Sequence, residues 1–518
     1  MEAVLNNRRL FAFASLASIL LTLWAIYVDP IVNPDALLYL SAAEEFSQGN
    51  IKNGLAIYKW PFYSILISIT HSITGLSVQS SAYFLNACMH VLIVLGFLAC
   101  VHRLGASKRT LLIAALIILL FPSLNKYRAF IIRDAGFIAF YLWSIYFLIL
   151  AIETKKIHCF LWSFLFIICA TLFRIEAIAI LAIIPWFLLY IYSDQKYKFF
   201  WLCGTIFSSI VIFFGISIWL FGEYSLHING DIWGFLSASI QFVADNLDFK
   251  LETIRRHILN DFSKQFAPTV LIVSVTVIVI YETLRRLSFI FAYFSWYAIK
   301  TKLVLEKKQL RHTFYVLCSI QLALLFLFAL INLFLVSRHT LALCLTVLLL
   351  APFSINYFYE KWLSTRSSNE KTFSKFVLPF VACVLLLAGL DGLDVKSNKL
   401  GIKESGVWLE QQVDSSYSLY SNSSLVLHYA NRKPAYFNLN YNWEETNALL
   451  VTNQIFNFDY AAILLSENHD ASKSYINKQL DREPVSEKLN QDNHLLLIYD
   501  LREISPGQKL DDKYFKIR

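Results

Sequence analysis

The sequence predicts an α-helical polytopic membrane protein with about eleven spans and a small C-terminal α/β domain outside the cytoplasm. Three observations predict it. Of the 518 residues, 57% are hydrophobic and only 16% are charged, whereas a soluble chain carries about a quarter charged residues. The apolar residues gather in runs approaching 20 residues, the length of helix that crosses a bilayer. The cations collect in alternate connections between these runs, which is how orientation in a membrane is encoded.

The runs cover about 10–28, 80–101, 110–124, 135–152, 157–173, 176–193, 198–221, 267–284, 312–336, 339–358 and 374–391. The first follows Arg8 and Arg9, as a signal peptide would. It ends in Trp24, Ile26, Tyr27 and Val28 with no small-residue cleavage site, so it reads as an uncleaved span. Rich connections hold Arg8/Arg9, His102–Arg109, Lys155/Lys156, Lys196/Lys198, Arg285–Arg311 and Lys361–Lys375. If these are cytoplasmic, the positive-inside rule is met at each crossing, with the N-terminus inside and the C-terminus outside.

Residues 1–391 are thus expected to form the membrane domain and 392–518 an outer domain. Outer loops 29–79, with surface helices, and 222–266 carry the remaining polar mass. Leu287–Ile299 is too short to span comfortably and is expected to lie along the membrane. The net charge of +8 serves topology and is no nucleic-acid signal. All eight cysteines lie in apolar runs, without disulfide or metal spacing. They read as small buried hydrophobes.

The tail alternates helical and β-like segments. Gly401–Val413, Trp443–Gln454 and Ala471–Leu480 read as helices. Tyr417–Tyr420, Ala435–Asn438, Tyr460–Leu465 and Leu495–Tyr499 read as strands. There is no phosphate-binding glycine motif and no internal repeat.

Candidate chemistry lies at the outer edge. In the first loop Asn33 suits an N-cap and Pro34 the first helical position. Asp35 then falls in the first turn, where free backbone N–H groups and the helix dipole favour a carboxylate's charged form. Tyr39 lies one turn on, on the same face. An ionised carboxylate at the membrane surface fits a general base, and equally a plain helix start. Further along, Lys59-Trp60-Pro61-Phe62-Tyr63 opens another helix. Lys59 is placed to meet a lipid phosphate, and Tyr63 and its aromatic neighbours also fit an interfacial belt.

Four charges, Lys126, Arg128, Arg133 and Asp134, crowd a second outer loop. Asp134 would orient a substrate or pair with Arg128 or Arg133. Arg174 and Glu176 break an otherwise apolar stretch, as turn formers or as functional charges. Arg338, beside His339, departs from the positive-inside trend. Its guanidinium suits a lipid phosphate or a structural anchor.

On these residues the chain resembles the GT-C glycosyltransferases, especially the protein O-mannosyltransferase and aminoarabinose-transferase branch. Asn33-Pro34-Asp35-Ala36-Leu37-Leu38-Tyr39 is similar to their acidic first loop. Lys59-Trp60-Pro61-Phe62-Tyr63 is similar to the proline-aromatic start of the next helix. Arg338-His339-Thr340-Leu341 and Gly406-Val407-Trp408-Leu409 are similar to later motifs. That branch has adjacent Asp-Glu and a double proline where this chain has Asp35-Ala36 and a single Pro61.

The resemblance implies sugar transfer from a polyprenyl-phosphate donor to a lipid, glycan or protein acceptor, with inversion, on the outer face of a bacterial inner membrane. It implies Asp35 as base; Asp134, read from its own charged loop, is a second catalytic candidate. Lys59 and Arg338 would hold the donor phosphate, joined by Arg133 of the charged outer loop. With the other residues of the outer edge, Tyr39, Tyr63, Arg128, Arg174, Glu176 and His339 would line the substrate cavity. No cofactor or metal-ligand set is evident. Membrane lipids are expected partners and nucleic acid is not. A lipid-linked glycan flippase or transporter, or a surface-polysaccharide polymerase or ligase, would share the many spans. A transporter would more often carry charges at the midplane. A polymerase would place its arginines late in the chain.

Overall fold

The computed structural model describes residues 7–191, 204, 206–207, 232–366, 400–432, 443–465, 469–490 and 493–502. The chain divides into two compact units. One comprises Met1–Ala25, Phe84–Arg128 and Arg133–Asp394, the other Ile26–Tyr83, Ala129–Ile132 and Val395–Arg518.

The first unit is helical. Among the described residues of the chain, five helices are long and apolar enough to cross a membrane: Arg8–Val28, Val78–Arg103, Asp134–Thr154, Lys264–Leu287 and Lys308–Asn332. A sixth span results if Ser337–Leu348 and Ala351–Leu363, which meet at a 45° bend, count as one. Pro352 accounts for the bend, because it lacks an N–H and its ring crowds the carbonyl one turn earlier. The expected span 110–124 is Lys108–Leu120 and then, past Phe121, the single turn Pro122–Asn125. The expected 157–173 and 176–193 are the short helices Ile157–Phe173 and Ala177–Ile191. The runs 374–391 and, but for 204 and 206–207, 198–221 lie outside the described residues.

Small residues let neighbouring helices approach closely. Ser144 and Ser163 each donate a hydroxyl to the other's carbonyl, at 2.9 and 2.8 Å. Such exchanges join helices where apolar surface alone gives no preference for a partner. Gly136 sits directly against Phe173, so that a Cβ there would overlap the ring. Phe173 stacks in turn on Phe140, at 5.6 Å between centroids. Elsewhere apolar side chains face outward, among them Phe13, Leu16, Leu20 and Leu23 of the first helix. An outward apolar stripe of this kind suits lipid rather than water.

The second unit contains the first-loop helices Pro34–Ser47, Ile51–Ile57 and Phe62–Thr74. Its C-terminal residues carry a four-stranded sheet of β1 (Leu419–Ser421), β2 (Tyr460–Leu465), β3 (Ser486–Leu489) and β4 (Leu495–Asp500), in the order β1-β2-β4-β3. β1 runs parallel to β2, and the β2–β4 and β4–β3 pairs are antiparallel. Helices Trp443–Val451 and His469–Leu480 cover a core of Ile455, Ile463, Ile476 and Leu497. The helix Leu400–Gln412 forms as expected. β3 is a strand the sequence does not announce, because Ser486, Glu487 and Lys488 are polar, as suits a sheet edge. The expected strand 435–438 lies outside the described residues.

Candidate functional site

In the helical unit, two helix ends build an ionic centre. Asp134 opens the helix Asp134–Thr154, and Arg174 caps the C-terminal end of Ile157–Phe173 in an extended conformation. The cap ends the helix and lets the guanidinium turn back. Arg174 Nη1 donates to Asp134 Oδ1. Nη2 and Nε donate to Glu176 Oε1 and Oε2 at 2.5 and 3.2 Å. The arginine is thus shared by two carboxylates, and both it and Asp134 are buried. Two-pronged geometry of this kind is available to a guanidinium and not to a lysine.

Arg174 and Glu176 form one side of a pocket of about 50 Å³, together with Gln321, His339, Phe137 and Phe328. The His339 ring packs on Phe328 with centroids 4.1 Å apart, and its buried Nδ1 has no hydrogen-bond partner among the described residues. Gln321 Nε2 donates to the Tyr141 hydroxyl, which is 2.8 Å from Thr346 Oγ1. The pocket therefore has an apolar body and a few fixed polar groups. Gln321, Phe137 and Phe328 are not among the residues expected from sequence. The amide of Gln321 inside an otherwise apolar run is the signal that marks it.

Two expectations for this region change. Asp134 pairs with Arg174 rather than with Arg128 or Arg133. Arg128 does not line the pocket. It is fully buried and donates to Asn125 Oδ1 at 2.8 Å, to the Ser18 carbonyl at 3.1 Å and to Thr22 Oγ1 at 3.0 Å. A buried guanidinium needs acceptors, and these hydroxyls and carbonyls meet most of that need. Tyr127, next to it, bonds Ser337, the residue before Arg338. Arg338 itself is on the first turn of Ser337–Leu348, and Arg133 is the N-cap before Asp134.

In the second unit, Asp35 lies in the first turn of Pro34–Ser47 as expected. Asn33 is the N-cap by position, yet its side chain does not cap. Its Oδ1 accepts from Ile131 N at 2.8 Å, and its Nδ2 donates to the Ile131 carbonyl at 3.4 Å. That pairing ties the loop start to residues 129–132. Tyr39 is buried with its ring edge-on to Tyr58, at 5.0 Å, and to Tyr63, at 5.3 Å. The helix face that bears Asp35 and Tyr39 is thereby packed on the residues flanking Lys59, which is exposed. The Val32 amide donates to the hydroxyl of Tyr429 at 2.9 Å. Burial pushes the Tyr429 phenol above its ordinary pKa, so this acceptor stays protonated and neutral.

Among the described residues no cluster of three or more His, Cys, Asp and Glu could hold a metal.

No family model matches the chain, and no curated protein matches it. Solved structures of the Archaeoglobus fulgidus oligosaccharyltransferase are similar. The enzyme with a tethered acceptor peptide is 12% identical with a TM-score of 0.47, over 80% of this chain and 62% of that one. Its apo form is 11% identical with a TM-score of 0.47, over 90% and 70%. Its complex with an inhibitory peptide and dolichol-phosphate is 11% identical with a TM-score of 0.45, over 86% and 67%. The chain thus spans 62% of the length of the first of these.

Proposed function

We propose that this chain transfers a glycosyl group from a polyprenyl-phosphate-linked donor to a lipid, glycan or protein acceptor on the outer face of a bacterial inner membrane. The observation that carries this reading is the buried centre of Arg174 with Asp134 and Glu176 at the wall of an otherwise apolar pocket. Ionisable groups are expensive inside a membrane helix bundle and are kept there for a task.

In the proposed reaction the acceptor oxygen or nitrogen attacks the anomeric carbon as the bond to the donor phosphate breaks. Asp35 takes the acceptor's proton. The leaving polyprenyl phosphate carries away the electron pair, and Lys59, Arg133 and Arg338 neutralise its charge. A phosphate leaves without protonation, so a single base suffices, and one direct displacement from the face opposite the phosphate inverts the anomeric centre. Asp134 is a positioning residue that acts through Arg174. Glu176 and His339 contact sugar or acceptor, and the buried rings of Tyr39 and Tyr63 hold the Asp35 helix in place.

The test is transfer by the purified protein in lipid, with a polyprenyl-phosphate sugar and both lipid and peptide acceptors. Product is expected with inverted configuration, and the folded Asp35→Asn variant is expected to make none. Full transfer by Asp35→Asn removes the assigned base. Donor moved across sealed vesicles with no transfer product favours a flippase instead.

A further inference from the structure

The helix Phe289–Lys300 joins two candidate spans, Lys264–Leu287 and Lys308–Asn332. A connection between consecutive spans must sit at a bilayer surface. Its 12 residues reach roughly 18 Å, well short of the 30 Å hydrocarbon core. One face is fully used within the protein. Phe291, Phe294 and Ala298 are buried, the Phe294 ring meets Phe358 at 5.7 Å, and Ser354 Oγ donates to the Phe294 carbonyl at 2.7 Å.

The other face carries Phe289, Tyr293 and Trp296, exposed by 67, 50 and 51%. Their spacing of four and three residues makes one stripe. Lys300 continues it, with Nζ 4.7 Å from the centre of the Trp296 ring. Lys302, Lys307 and Lys308 follow, all exposed, with Glu306 the one acid in that stretch. Aromatic rings beside lysines are the composition of a headgroup-level surface.

We propose that this stripe and the lysine cluster after it form a binding surface for anionic phospholipids. The rings seat at the boundary between headgroups and acyl chains, and Lys300, Lys302, Lys307 and Lys308 bind the lipid phosphates. Charge decides between occupants. A two-fold contact with another copy would set these lysines against their own kind, whereas an anionic leaflet complements them. The surface is separate from the transfer chemistry and does not depend on it.

The test uses the full chain in nanodiscs of phosphatidylcholine with phosphatidylglycerol, released for native mass spectrometry. The wild type is expected to retain phosphatidylglycerol over phosphatidylcholine, and less of it as salt rises. In K300Q/K302Q/K307Q/K308Q the affinity for phosphatidylglycerol is expected to fall by about fivefold per lysine removed. Equal retention by that variant and the wild type overturns the proposal. So does a wild-type dimer that F289S/Y293S/W296S converts to a monomer, since the stripe would then be covered by a second copy.

Discussion

Arg174 donates to Asp134 across 40 positions of sequence, from the end of one helix to the start of the one before it. With Glu176 on its other edge, the arginine joins two helix termini and one wall of the pocket. The pair is buried on both sides, so removing one member strands the other's charge.

Asp134→Ala should therefore destabilise the protein by about 2–3 kcal/mol, less than an unsupported buried pair because Glu176 remains. Thermal unfolding in detergent measures this. A double-mutant cycle with Arg174→Met should give a coupling of at least about 1 kcal/mol. Additive effects would show that the two side chains act independently.

Gly136→Ala should cost about 2 kcal/mol, because the new methyl has to displace the Phe173 ring. Phe173→Leu on the same chain should recover part of that loss. A Gly136→Ala variant as stable as the wild type would mean the two helices are not packed as described.

Tyr429→Phe removes the acceptor of the Val32 amide and little else. Leaving that N–H unsatisfied should cost about 1–2 kcal/mol. Hydrogen exchange at Val32 should speed up while exchange in the β2–β4 ladder keeps its wild-type rate.

Asp500 provides a pH dependence. The hydrogen bond from Arg502, first, holds its carboxyl below the ordinary carboxylate range. A folded-state pKa lowered in this way stabilises fully above the unfolded value, about 4, and the gain is lost as pH falls through the folded value. Asp500→Asn should flatten that acid limb of the thermal midpoint and leave the slope above about pH 5 unchanged. An identical acid limb in both proteins would exclude the pair as its source.

Much of this was legible in sequence, for identifiable reasons. The helix at Pro34 starts where the Asn-Pro-Asp order places it, since N-terminal preferences are local. β2 and β4 follow from short apolar runs, whereas β3 has a polar face and no local signature. Pairing was far less legible. Asn33 reads as a cap because the alternative acceptor and donor, the backbone of Ile131, lies 98 positions away. Arg128 reads as a partner for Asp134 because both stand in one loop. The fold instead turns its guanidinium to Ser18 and Thr22, more than 100 positions earlier. The glutamine of the pocket wall was not singled out from sequence: it interrupts an apolar run, but nothing local says which neighbours it meets.

The second unit is assembled from three separate stretches of chain, and Tyr429 comes 397 positions after the amide it serves. A ribosome delivers residues 26–83 and 129–132 early, and the stretch from Val395 only after the whole of 133–394. Until Tyr429 is made, then, the Asp35 helix exists without its full complement of neighbours. A truncation anywhere before residue 429 would do damage at both ends of the gene, and quality control in the membrane would meet such a chain as one with an unfinished beginning.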